Sequence, residues 1–173
     1  MQLVVGEVER EELQQPGVGG HPVTLGQQQP WWDGKNIFLI GWSRGGMMAY
    51  LASKAGAPLT AMVSGAAPTD WAGNTVVLPR MEELFERRVP DYHANREALL
   101  SARSAMYWPE AITTPTLIMH GAKDERIDVE DARRLYAALK ALGRDVKYVE
   151  FPEGDHFMAA HRQSIIEHTV AWF

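Results

Sequence analysis

The chain has no cysteine among its 173 residues. That excludes disulfides, thiolate nucleophiles and cysteine-bound metals, and it fits the reducing cytoplasm. No apolar run approaches the length of a membrane span. Residues 1–10 lack the basic-then-apolar order of a secretory leader. Basic charge is also scarce: the net charge of −5 offers no electrostatic footprint for nucleic acid or an anionic membrane. Repeats and low-complexity stretches are missing. What remains is ordinary globular composition, 46% hydrophobic and 23% charged, in a chain long enough for one domain with a real core.

The organising stretch is Asn36 to Tyr50. Ile37-Phe38-Leu39-Ile40 is a short apolar run, suited to a parallel strand buried on both faces. Gly41-Trp42-Ser43-Arg44-Gly45 follows in a G-x-S-x-G pattern. Met47, Met48, Tyr50 and Leu51, set among Ala49, Ala52 and Lys54, have helix-competent composition. Glycine-rich turns also serve packing alone. A strand before and a helix after make this one read as a nucleophile elbow. So sharp a turn strains the serine backbone and admits only small neighbours, predicted at Gly41 and Gly45. The helix beginning at the serine favours developing negative charge at its N-terminus.

Residues 1–35 are the least regular part. Leu3-Val4-Val5 could make a short strand, and Pro16 to Pro22 is a breaker cluster. After the elbow helix, Ala55 to Pro58 forms a stop. Thr60 to Ala66 reads as a second strand. Ala67 to Trp108 is a long connection with helical pieces at Arg80 to Arg88 and Asn95 to Arg103, which is the length of a structured insertion or lid. Thr116 to His120 is a third strand. Asp128 caps the following helix, with Asp131 completing a box-like start. That helix carries Ala132, Leu135, Tyr136, Leu139 and Leu142 on one stripe and stops at Gly143. Val146 to Phe151 is a fourth strand. Ser164 to Phe173 closes the chain as an amphipathic helix, with Ile165, Ile166, Val170 and Phe173 inward. Strands alternating with helices predict an α/β fold: a parallel sheet with helices on its faces.

Ser43, Asp124 and His156 each stand just past the C-terminal end of a different strand, the edge where such sheets build sites. Serine is a poor nucleophile until a neutral imidazole takes its proton. The imidazole returns a proton to the leaving group, and a carboxylate holds its tautomer and stabilises the imidazolium. Histidine suits the task because its ordinary pKa lies near neutrality. Each partner alone has a plainer explanation, a solvated charge run around Asp124 and a loop histidine at His156. Asp128 and Asp155 compete for the acid role. Asp128 is better explained as a cap, and Asp155 adjoins the histidine too closely to orient its ring. His120, at a strand end, reads as packed or hydrogen-bonded. His156, His161 and His168 have the wrong spacing for a metal site. The triad supplies its own chemistry, so no cofactor and no metal is implied.

Three motifs carry a family resemblance. Leu39 to Met48 resembles the elbow of prolyl-oligopeptidase-like serine peptidases and their single-domain hydrolase relatives. His120-Gly121-Ala122-Lys123-Asp124 is similar to that family's H-G-x-x-D acid loop, and Gly154-Asp155-His156-Phe157 to its histidine loop. Arg103 to Pro109, ahead of Thr114 to Ile118, also looks like members of this group. The resemblance covers residues 27–173 and implies an α/β-hydrolase fold. It makes Ser43 the nucleophile, Asp124 the acid and His156 the base, cleaving an ester or peptide amide through an acyl-enzyme. An oxyanion hole needs two N–H donors. Arg44, next after the nucleophile, supplies one, and the second normally comes from far upstream. Trp42, Trp71, Tyr107 and Trp108 are candidates for pocket walls.

The departure is upstream. Family members carry several strands and helices before the elbow strand, and here 35 residues precede it. Gly19-Gly20-His21-Pro22 does not reproduce the usual His-Gly-Gly order. Residues 1–26 therefore read as divergent, and residues 27–173 as the C-terminal portion of the catalytic domain. An elbow strand lacking its neighbour is an association hazard: either Leu3-Val4-Val5 pairs there, or another chain does, by self-association through an exposed sheet edge. The readings are a peptidase acting on a small ester or peptide, a carboxylesterase or dienelactone-hydrolase-like enzyme on the same triad, or a catalytically silent binding module.

Overall fold

Ala61–Gly65 is apolar or small throughout and Thr116–Gly121 is so apart from His120, and both become interior strands buried on both faces. The computed structural model describes residues 30, 32–73 and 78–173. Leu3-Val4-Val5 and Gly19 to Pro22 lie outside these. Four strands, β1 (Phe38–Trp42), β2 (Ala61–Gly65), β3 (Thr116–Gly121) and β4 (Val146–Phe151), form one parallel sheet in the order β1-β2-β3-β4. Among the described residues β1 pairs only with β2. It is mostly half-buried, not enclosed on both faces as the apolar run suggested.

The helices are α1 (Arg44–Lys54), α2 (Leu78–Arg88), α3 (Tyr92–Ala102), α4 (Val129–Ala141) and α5 (Arg162–Trp172). Alternation along the strands sends Met62 and Ile118 to one face, where they meet Ala49 and Tyr50 of α1 and Leu135 and Leu139 of α4. Val63, Leu117 and Met119 point to the other face, against Ile165 and Trp172 of α5. The result is a sheet between two helical layers, as the alternating pattern predicted. None of the helices of the described residues is long and apolar enough to cross a membrane.

The connection after β2 is tied down at both ends. Thr69 donates its N–H to Asp131 Oδ2 at 3.2 Å and its hydroxyl to the Asp131 carbonyl at 3.0 Å. Trp71 donates its N–H to Ser104 Oγ at 2.9 Å. Trp71, Leu100, Met81 and Phe85 then pack on Met47, Met48 and Leu51 of α1. The insertion therefore roofs α1.

Several local expectations shift. Asp128 caps α4, accepting the Glu130 N–H at 2.9 Å. Asp131 completes no box: its buried carboxylate serves Thr69 and Arg134 instead. Leu142 caps the end of α4 and is exposed, leaving the stripe at Leu139. On α5 the inward positions are Ile165, Thr169 and Trp172, with Phe173 beyond the last turn. Ile166 and Val170 sit about 100° round the helix from that row and face outward. The third helix starts at Tyr92, not Asn95, and Asn95 itself departs from helical geometry.

Candidate active site

The elbow is built by close approach. Ser43 adopts φ 55° and ψ −119°, a conformation costing a non-glycine residue about 1–3 kcal/mol. Its N–H donates to the Gly65 carbonyl at 2.7 Å, and its own carbonyl accepts from Gly46 and Met47. A methyl group on Gly41 would lie 2.2 Å from the Gly45 carbonyl oxygen. One on Gly46 would lie 2.6 Å from the Ala67 Cβ and 2.7 Å from Ser64 Oγ. Gly45 has open space where its Cβ would stand. The two positions that must stay small are thus Gly41 and Gly46, rather than Gly41 and Gly45.

Strand register brings the remaining residues to the same rim. Trp42 is level with Gly65, Gly65 with Met119, and Gly121 with Phe151. The turns after β3 and β4 are pressed together: a Cβ on Gly121 would lie 2.2 Å from the Gly154 carbonyl oxygen, which accepts the Lys123 N–H at 2.9 Å. Asp155 accepts the N–H groups of Phe157 and Met158 at 3.1 and 2.6 Å. It shapes the loop and leaves the ring of His156 to another carboxylate.

The structure places Ser43, Asp124 and His156 in one hydrogen-bonded line. His156 Nε2 is 3.0 Å from Ser43 Oγ, and His156 Nδ1 is 2.8 Å from Asp124 Oδ2. Serine at a helix N-cap usually caps the first turn. Ser43 makes no such bond, and its hydroxyl faces the imidazole instead. Asp124 Oδ1 accepts the N–H groups of Arg126 and Ile127 at 2.8 and 3.0 Å. Burial alone would push this carboxyl upward. Hydrogen bonds from His120, His156 and the Ile127 and Arg126 N–H groups outweigh burial and hold it well below the usual carboxylate range.

Arg44 is the first residue of α1, which has no acidic side chain in its first turn. Among the described residues its N–H has no acceptor, as expected at a helix start. It adjoins Ser43 as an oxyanion donor would.

The aromatic candidates separate. Trp42 donates its indole N–H to the His156 carbonyl at 3.0 Å, and its ring fills the space a side chain on Gly65 would need. It holds the histidine loop. Trp108 is buried, donates to the Ser101 carbonyl and lies under the Lys54 ammonium, 4.2 Å from the ring centre. Lys54 ends α1, an 11-residue helix that starts beside Ser43, and Trp108 packs in the core cluster with Ala49 and Tyr50 of that helix. It serves the core here. Trp71 is also core, bonded to Met47 Sδ. Tyr107 is 54% exposed and belongs to the turn that anchors Trp108. Sequence reasoning missed the Trp42 tether and the tight fit at Gly46. The neighbouring glycine pair Gly45-Gly46 was the available signal for the second. Among the described residues no three acidic or histidine side chains cluster as metal ligands would.

A parallel sheet bearing a strained serine elbow, with a carboxylate and an imidazole on the two following strand ends, defines an α/β-hydrolase fold. The sequence model of the prolyl oligopeptidase family matches residues 23–173. The chain belongs to the prolyl oligopeptidase family. Over 110 residues it is 33% identical to the uncharacterized peptidase YuxL of Bacillus subtilis, covering 61% of this chain and 14% of that protein. Over 79 residues it is 30% identical to dipeptidyl-peptidase 4 of Giardia intestinalis, covering 46% of this chain and 10% of that one. The chain thus spans only a small part of the length of these relatives. Among solved structures it is similar to Porphyromonas gingivalis dipeptidyl peptidase 4 (TM-score 0.71, 18% identity, 88% of this chain and 21% of that one). It is also similar to the Pyrococcus furiosus esterase PF2001 (TM-score 0.66, 16% identity, 87% and 57%). These structural likenesses concern the fold.

Proposed function

We propose that this chain carries the catalytic machinery of a serine hydrolase that cleaves a peptide amide or ester through an acyl-enzyme. The observation that supports it most is the continuous line Ser43 Oγ, His156 Nε2, His156 Nδ1, Asp124 Oδ2, with links of 3.0 and 2.8 Å. His156 takes the hydroxyl proton as Ser43 Oγ adds to the carbonyl carbon. The carbonyl becomes an oxyanion, which the Arg44 N–H and the start of α1 receive. Collapse expels the leaving amine or alcohol with the proton from His156, and water repeats the sequence on the acyl-serine. Asp124 stays ionised throughout, which the Arg126 and Ile127 N–H groups, the His156 ring and the nearby His120 Nε2 favour.

Membership of the peptidase family favours an amide substrate. The esterase reading has its own support, since a known esterase shares this fold over 57% of its length. A pre-steady-state assay with a p-nitrophenyl ester tests the common chemistry. We expect a burst of nitrophenolate stoichiometric with protein, abolished in Ser43→Ala. A folded wild type without a burst or turnover on esters or peptide anilides would favour the silent binding module. Comparing anilide with ester turnover separates peptidase from esterase. An oxyanion hole with one donor alone would run about 100- to 1000-fold slower than a complete one.

A further inference from the structure

His120 lies near the end of β3, just before the loop that carries Asp124; it is fully buried, and the triad chemistry gives it no part. Its Nε2 lies 3.2 Å from Asp124 Oδ2 and 3.1 Å from the Ile127 carbonyl oxygen. A carbonyl accepts and cannot donate, and so does an ionised carboxylate. Both neighbours therefore require the proton on Nε2. Nδ1 is buried with no partner among the described residues, which leaves it as the bare nitrogen. The carboxylate at the paired position on β4, Glu150, is engaged by Arg133 and Tyr148. Asp124 is the carboxylate His120 serves.

A carboxylate has about four lone-pair sites. On Asp124 the N–H groups of Arg126 and Ile127 meet Oδ1 and the ring of His156 meets Oδ2, while His120 Nε2 stands 3.2 Å from Oδ2 with its one proton shared with the Ile127 carbonyl. We infer that His120 is a positioning residue for the triad, acting through Asp124: its Nε2–H shares Oδ2 with His156 and fixes the carboxylate plane against which the His156 ring is aligned. Without this donor Oδ2 keeps one partner, and the carboxylate can pivot about its remaining bonds. The catalytic consequence rests on the hydrolase reading above; the link from His120 to His156 does not.

The test uses long-range proton–nitrogen NMR of the imidazoles in the whole chain, with His120→Gln, His120→Asn and His120→Leu. In the wild type the ring proton of His120 should reside on Nε2. The His156 Nδ1–H, held on Asp124, should give a downfield, slowly exchanging resonance. Glutamine, whose amide reaches the Nε2 position, should keep that resonance. Leucine should broaden it into solvent exchange, and asparagine, which falls short, should do the same. In turnover the leucine variant should lose roughly 10- to 100-fold in kcat with KM unchanged, the size of a lost bond to a charged group, and glutamine should recover most of it. A wild-type His120 protonated on Nδ1 would overturn the inference, as would an unchanged His156 resonance in a folded leucine variant. Should leucine not fold, the wild-type tautomer and the glutamine–asparagine contrast decide. The spectra need no turnover, so an inactive wild type with this coupling intact would sink the hydrolase reading alone.

Discussion

The indole N–H of Trp42 donates to the carbonyl oxygen of His156 across 3.0 Å, joining the residue before Ser43 to the loop that carries His156. Two residues 114 positions apart are thereby held in register at the sheet edge. Trp42→Phe keeps most of the ring and removes the donor. A neutral hydrogen bond contributes about 0.5–1.5 kcal/mol, so the rate of Ser43 acylation should fall roughly 3- to 10-fold. Stopped-flow acylation by an activated ester measures it, and an unchanged rate would show that the tether does not set the position of His156.

The elbow glycines should respond unequally. Gly46→Ala drives a methyl group into Ala67 and Ser64, an overpacking that costs about 1–3 kcal/mol. Gly45→Ala meets open space inside a helix and should be neutral or stabilising by about 0.5–1 kcal/mol. Urea denaturation of the two variants gives the comparison. Equal destabilisation would mean the tight contact has been placed at the wrong glycine.

Acid stability should carry two opposite signatures. The Asp124 carboxyl is held below its ordinary value of 3.8. Its ionised form therefore favours the folded state above that value, and the contribution is lost as pH falls through and below it. The advantage of wild type over Asp124→Asn should shrink on acidification. Asp131 is raised above 3.8 by burial, against the Thr69 N–H and Arg134. Its contribution is present below 3.8 and is lost as pH rises through the higher folded value. Wild type should lose ground to Asp131→Asn over that rise. Denaturation midpoints across the acid range test both, and parallel pH curves for the two pairs would refute the assignment.

The outer row of α5 offers a stability control. Ile166 and Val170 are exposed, so Ile166→Gln should change stability by no more than about 0.5 kcal/mol. Ile165→Ala, against the sheet, should cost about 2 kcal/mol or more. Thermal melts of the two variants rank them, and the reverse order would mean that α5 is rotated from its assigned face.

Three strands were legible as short apolar runs closed by a polar turn and β4 as a half-alternating segment, and the Ser-Asp-His order because each member follows its own strand. Tertiary choices were not legible. Nothing local distinguishes Ile165 from Ile166 until the sheet selects a row of α5. Trp108 reads as a pocket wall until Ala49 and Tyr50 of α1 take it into the core. Asp131 has capping-box spacing, but Thr69, from a distant loop, captures its carboxylate. Sequence pattern specifies which residues a segment offers, and long-range partners specify which are used.

Reaction with an active-site phosphonate followed by peptide mass spectrometry shows whether Ser43 is the nucleophile. We expect one phosphonyl adduct, on Ser43, absent in Ser43→Ala and at least about 1000-fold slower to form in His156→Ala. A folded wild type that forms no adduct, or forms it on another residue, would rule out Ser43 as the nucleophile.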